Sequence, residues 1–280
     1  IDVGVTAIRI VGGDFNADAK RDVAVLLLAT LGGAALVSAA ARPQAIVSTP
    51  QYESFDLIVL LDRSASMLAT DIKPSRLSRA CLEIQNFLQE KPETIDRVAL
   101  IAFANTAVVT SHLTKDLEIL LFFLDWMTQD RNPYYGTDFA TALESALNVA
   151  RTEAPHRRKV VALVSDGEDH GERLERALDE VHRSTIPIYV IGVGSDSAVT
   201  IPAPPGYYPT PRDDNLSLPW GSQSAVTIPA PPGSDYSTLR DDNGAELTTR
   251  LNEGTLRRIA TTTGGSYYRS MSGLELATTL

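Results

Sequence analysis

"LIVLLDRSASM", residues 57 to 67, passes from an unbroken apolar run into Asp62, Arg63, Ser64, Ala65 and Ser66. Five consecutive aliphatic side chains suit a strand covered on both faces, the condition of a parallel sheet. The carboxylate and two hydroxyls after it stand at i, i+2 and i+4. Three chemistries use such a loop: a serine nucleophile, a phosphate-gripping turn, or a metal site.

Three further runs have the same character: "VALIAF" at 98–103, "KVVALV" at 159–164 and "IPIYVIGV" at 186–193. "TAVVT" at 106–110 follows the second run after a two-residue "AN" step, which predicts an antiparallel edge strand. Between the strands the period changes to that of helices. Leu77, Ala80, Cys81, Ile84, Phe87 and Leu88 share one face of a helix over about 75–90. Phe139, Ala142, Leu143, Ala146, Leu147 and Ala150 stripe a second helix, and Leu174, Ala177, Leu178 and Val181 a third. Leu256, Ile259 and Ala260 mark a fourth, closed by Gly264 and Gly265. Cys81 lies within its stripe and reads as a core residue. The alternation predicts an α/β fold, a doubly wound, mostly parallel sheet with one antiparallel edge strand.

That fold decides between the three chemistries. A hydrolase elbow needs Gly-x-Ser-x-Gly, and neither Ser64 nor Ser66 has flanking glycines. No Gly-x4-Gly-Lys-Ser/Thr or Gly-x-Gly-x-x-Gly follows any strand. Oxygen ligands at a strand's carboxyl end fit the edge where doubly wound sheets bind ligands. Two other loops offer partners at matching places: Thr137 in "YGTDF", and Asp166 in "VSDGED". Two carboxylates with hydroxyls suit Mg²⁺, whereas Zn²⁺ prefers the His and Cys that this set lacks. Taken singly, Thr137 reads as a helix cap and Asp166 as part of an Asp-Gly turn.

Asp62-x-Ser64-x-Ser66, then Thr137, then Asp166 resembles the metal-ion-dependent adhesion site of von Willebrand factor type A (VWA) domains. The resemblance covers about 54–196 and resumes at about 247–272. It implies a Rossmann-like VWA fold and a divalent cation, Mg²⁺ or another such as Mn²⁺ or Ca²⁺. Asp62, Ser64, Ser66 and Thr137 would approach the ion directly or through water, and so would Asp166. It further implies a binding module rather than an enzyme, one that engages a carboxylate of a protein partner. Arg63, Tyr134, Tyr135, Asp138 and His170 are expected around the rim. "DRSASMLATDIKPSRL", "YYGTDFATALESAL" and "TTRLNEGTLRRIATTTGGSYYR" are similar to the bacterial membrane-anchored Bat (aerotolerance) subfamily. That likeness implies a periplasmic domain on the inner membrane, association with related VWA membrane proteins and a MoxR-type AAA+ ATPase system, and a second span after Leu280.

The bulk properties agree. A net charge of −10 over 280 residues excludes a nucleic-acid partner held by phosphate neutralisation. One cysteine excludes an internal disulfide. Residues 23–41, "VAVLLLATLGGAALVSAAA", contain no charge and follow Lys20 and Arg21. Three readings compete for them: a transmembrane helix with its basic side in the cytoplasm, a signal peptide ending in "SAAA", or a buried helix. The expected organisation is a polar segment at 1–22, the apolar span at 23–41, a linker at 42–54, the VWA domain at 55–272 and a tail at 273–280. Asp14, Asn16, Asp18 and Asp22 in the first segment have a spacing similar to the calcium loop of propeller repeats, but Ala19 stands where the turn needs glycine. "SAVTIPAPPG" occurs at 197–206 and again at 224–233, and "RDDN" at 212–215 and 240–243. Two copies cannot make a solenoid, so 196–247 reads as a duplicated proline-rich loop on the surface. Two rival functions remain. A metal-dependent phosphatase would need a base from Glu168 or Asp169, which read as solvated loop acids. A scaffold would carry a vestigial metal site.

Overall fold

Each apolar run becomes a strand. A computed structural model describes residues 30–33, 54–130, 132–153, 155–204, 237–241 and 244–270. The spacing at 14–22, the span reading of 23–41 apart from a helical turn at 30–33, residues 42–53, the loop at 205–236 and the tail at 273–280 lie outside the described residues. Among the described residues no helix is long and apolar enough to cross a membrane. Residues 1–51 and 52–280 are separate units, and the sheet with its packed helices belongs to the second.

The chain runs β1 (Phe55–Asp62), α1 (Arg76–Gln89), β2 (Ile95–Phe103), β3 (Ala107–Thr114), α2 (Leu117–Gln129), α3 (Phe139–Glu153), β4 (Arg158–Ser165), α4 (Leu174–Ser184) and β5 (Ile188–Gly192). The short pair β6 (Val199–Thr200) and β7 (Thr248–Thr249) precedes α5 (Glu253–Thr262) and β8 (Tyr267–Arg269). Six strands form one sheet in the order β3-β2-β1-β4-β5-β8. Every pairing in it is parallel except β2 with β3. β1 sits between β2 and β4, where the strand order reverses, so the loop after Asp62 opens at the switch point.

Alternate β1 residues serve two cores. Ile58 and Leu60 face α3, α4 and α5, beside Phe139, Leu143, Leu178 and Ile259. Leu57, Val59 and Leu61 face α1 and α2, beside Ile84, Leu88, Leu124 and Met127. Cys81 is buried among the latter, and burial pushes its thiol up to about 12. α1 starts at a cap, with the Ser75 side chain accepting from Ser78 N.

Two elements escape the periodicity. α2 is apolar on two sides: Leu120, Leu124 and Met127 are buried, while Ile119, Phe122 and Trp126 are exposed. No single stripe stands out, and the helix is signalled by its cap, Asp116, which accepts from Glu118 N and Ile119 N. β8 has only three residues and gains its place by pairing with β5.

Candidate metal centre

Asp62 ends β1 with its carboxylate fully buried. Oδ1 accepts from its own loop's Ser64 N at 2.8 Å, and Oδ2 from Ser165 Oγ, at the end of β4, at 2.5 Å. Ser165 Oγ accepts in turn from Gly167 N at 3.0 Å. Gly167 has φ +84°, and a Cβ there would run into the Asn252 carbonyl oxygen. Past Asp62 the chain enters a 3₁₀ turn, Ala65–Leu68, and the Ser64 and Ser66 hydroxyls meet at 2.9 Å. Both serines are buried. The i, i+2, i+4 spacing thus brings a carboxylate and two hydroxyls into one enclosed loop.

The other two positions arrive on stitched loops. Ala65 N donates to Tyr134 O at 2.7 Å, which ties the segment before α3 to the Asp62 loop. Thr137 lies three residues on, buried, and its carbonyl accepts from His170 N at 2.8 Å. Asp166 follows Ser165 and is also fully buried. The carboxyl ends of β1 and β4 and the entry to α3 therefore meet at one edge.

Asp166 also has a partner that the sequence reading missed. Arg76 is fully buried and donates from Nη1 to Asp166 Oδ2 at 2.8 Å. The same nitrogen reaches Thr249 Oγ1 at 3.0 Å. Nε and Nη2 grip the two oxygens of Asp71 at 2.9 and 2.8 Å, and Asp71 accepts as well from Ser195 N at 2.8 Å. A faint signal existed in the sequence: an arginine in the first position of a helix opposes the helix dipole and calls for a local acid.

Burial raises the Asp62 carboxyl to about 7, and repulsion from Asp166 adds to it against the hydrogen bonds of Ser165 and Ser64. Burial works the same way on Asp71, but Arg76 and Ser195 outweigh it and hold that group at about 2. One guanidinium therefore serves two buried acids, Asp71 and Asp166, and does not reach Asp62. Among the described residues no three His, Cys, Asp or Glu side chains form a metal cluster. The set here is two carboxylates and three hydroxyls, hard oxygens that fit a Mg²⁺-type ion completed by water.

Several expected roles change. Arg63 is not a rim residue: it is buried, paired with Asp130 at 2.8 Å, and lies over the rings of Trp126 and Tyr134 at 5.2 and 4.8 Å. Asp138 caps α3, with Oδ1 accepting from Ala140 N at 2.9 Å, and pairs with Arg173 through Oδ2. Tyr135 and His170 do lie exposed. Glu168 and Asp169 are half-buried rather than solvated. Glu168 accepts from Arg250 N at 3.3 Å, and Asp169 from Phe139 N at 3.3 Å. Burial raises both carboxyls. The described ends of the proline-rich insertion are more than a surface loop. β6 pairs antiparallel with β7, and Ile201 and Leu239 bury themselves against Ala65 of the Asp62 loop.

Residues 57–168 match the family described as von Willebrand factor type A domain, a span that contains all five candidate positions. The fold and this match define the class of that span: residues 57–168 are a stretch of VWA domain. Its relatives narrow the likeness. The structure is similar to an aerotolerance-related membrane protein from Bacteroides fragilis, with a TM-score of 0.62 and 25% identity, covering 80% of this chain and 96% of that one. It is equally similar to the protein BatB from Bacteroides thetaiotaomicron, with a TM-score of 0.62 and 26% identity, covering 80% and 94%. Over 151 residues the chain is 32% identical to a UPF0353 protein of Mycobacterium sp. (strain KMS), 52% of this chain and 43% of that protein. The chain thus spans less than half the length of that curated relative.

Proposed function

We propose that this VWA domain holds a divalent cation, Mg²⁺ or a similar hard ion such as Mn²⁺ or Ca²⁺, at Asp62, Ser64, Ser66, Thr137 and Asp166, and uses it to bind a carboxylate of a protein partner. The observation that carries this reading is the Asp62 loop: a fully buried carboxylate beside paired serine hydroxyls, raised to about 7 and facing a second buried acid. When bound, the ion supplies an electrophilic coordination position that an Asp or Glu can complete. The chain's own residues do the rest. Ser165 and the Ser64 amide orient Asp62, and Arg76 fixes one oxygen of Asp166. The rim residues Tyr135 and His170 meet the partner.

The likeness to an aerotolerance-related membrane protein supports a role in assembly or stress tolerance of the bacterial envelope. In that reading residues 23–41 tether the domain to the inner membrane on its periplasmic side. Related VWA membrane proteins and a MoxR-type AAA+ ATPase system are its partners. The protein acts by binding, not catalysis. Against a phosphatase, both acids that could serve as base accept hydrogen bonds from backbone amides.

Titration calorimetry of the full chain with Mg²⁺ tests this. The unmutated chain should bind, and Asp62→Ala and Thr137→Ala should each weaken binding by at least about 100-fold, the upper end for outer-shell partners of a metal. No binding by the unmutated chain would leave the scaffold reading. Mg²⁺-dependent hydrolysis of p-nitrophenyl phosphate that disappears in Asp62→Ala would favour the phosphatase.

A further inference from the structure

The edge of the sheet opposite Asp62 carries a second feature. There, at the amino ends of β1, β4 and β5, lies an open groove of about 1350 Å³. Its lining includes Arg151, Arg157, Arg158, Lys159 and Arg183, and among the described residues lining it Glu180 is the one acid. This is a local inversion of sign in a chain of net charge −10. Two of the cations have an ordinary explanation. Arg151 stands in the last turn of α3 and Arg183 in that of α4, where helix dipoles favour positive charge. Arg157, Arg158 and Lys159 do not, because they belong to the start of β4 and the turn before it. Arg157 is engaged with Asp56 and Asp96, and Arg151 with Glu180 at 2.8 Å. The side chains of Arg158 and Arg183 reach the surface. Burial pushes the half-buried Lys159 ammonium below its usual value, against the pull of Asp56 and with a smaller push from Arg97. Phe55, Pro187 and Tyr189 give the groove an apolar and aromatic wall.

We propose that this groove is a docking site for the phosphate headgroups of an anionic bilayer. The chemistry is that of polybasic segments beside membranes, which attract anionic lipid at short range and are screened by salt. An acidic chain is repelled from such a surface except where a basic face is turned to it. A bilayer is favoured over a soluble phosphate because the groove is open rather than enclosing. Phe55 in its wall also begins the strand that follows the uncharged run at 23–41 by 13 residues. The inference rests on the membrane-tethered reading only for that last argument. With the metal site at the other edge, the domain would hold lipid below and a protein partner above.

The test is flotation of the full chain with vesicles of pure phosphatidylcholine and with vesicles containing about one-third phosphatidylglycerol, with hydrogen exchange read over 151–159 and 183–189. Flotation with both, and protection of those segments by the anionic vesicles alone, removed by high salt and reduced several-fold in Arg158→Glu/Arg183→Glu, is the expected result. Flotation with anionic vesicles only, sensitive to salt, would support the groove and overturn the tether. Flotation with both and equal exchange would overturn the groove and keep the tether, and flotation with neither would overturn both. Protection of the same segments by inorganic phosphate without vesicles would also overturn the proposal, making the groove a soluble-anion site. Both substituted residues are exposed, and an unchanged exchange pattern elsewhere in the variant shows that it folds.

Discussion

Asp62 and Asp166 are both fully buried, and Arg76 reaches only the second of them. The first consequence is a pH dependence. The folded-state value of Asp62, about 7, lies above the 3.8 of an ordinary aspartate, so the metal-free fold favours the protonated acid. That contribution is fully present below about pH 4 and is lost as pH rises through about 7. Thermal melts in chelator should therefore fall over this window in the unmutated protein and much less in Asp62→Asn. Added Mg²⁺ should raise the midpoint more at pH 8 than at pH 5; an equal rise at both would contradict the reading of Asp62. The second consequence concerns Arg76. Arg76→Met leaves Asp71 and Asp166 buried without their shared cation, a loss of about 3–5 kcal/mol measurable by urea unfolding. Arg76→Lys should recover only part of it, because an ammonium cannot serve a bidentate carboxylate and two further oxygens at once. Of these residues the sequence made Asp62 and Asp166 legible by motif. Arg76 was not, since its partners lie 5, 90 and 173 residues away.

At the scale of elements, amphipathic stripes exposed α1, α3, α4 and α5 in the sequence, because each helix buries one face and wets the other. α2 hid itself by being apolar on both sides, and β8 by its three-residue length. What seats β8 is a close approach of backbone. Gly265, just before it, lies against Ile188 so tightly that a Cβ would run into the carbonyl oxygen. Gly265→Ala should cost about 1–3 kcal/mol, the usual range for overpacking. Hydrogen exchange would show where: amides of 267–269 and their β5 partners should lose protection ahead of β1 and β4. A uniform loss across the sheet would mean that β8 does not respond as an edge.

Over the whole domain, two cores on the faces of one sheet hold the site's loops in place, and a third, small cluster couples the insertion to them. Leu239 is fully buried with Ile201 and Ala65, and its amide donates to Ile201 O at 2.8 Å. Leu239→Ala removes most of that cluster, at about 2–5 kcal/mol by the usual range for a buried leucine. Because the cluster is small and apart, the loss should appear as local opening rather than global unfolding. Exchange at 65–68 should rise several-fold while the main melting midpoint moves little; a large shift of the midpoint would show the insertion to be part of the main fold. The sequence by itself determined the α/β alternation, the parallel strands and the Asp-x-Ser-x-Ser, Thr and Asp positions, because burial on two faces and chemistry at strand ends are written in local pattern. Tertiary structure alone decided that Arg76 clamps Asp166, that Arg63 is an internal bracket, and that the described ends of the insertion pack on the Asp62 loop. Each depends on groups far apart in the chain meeting at one place, and a charge's burial and partner exist only once the chain has closed around it.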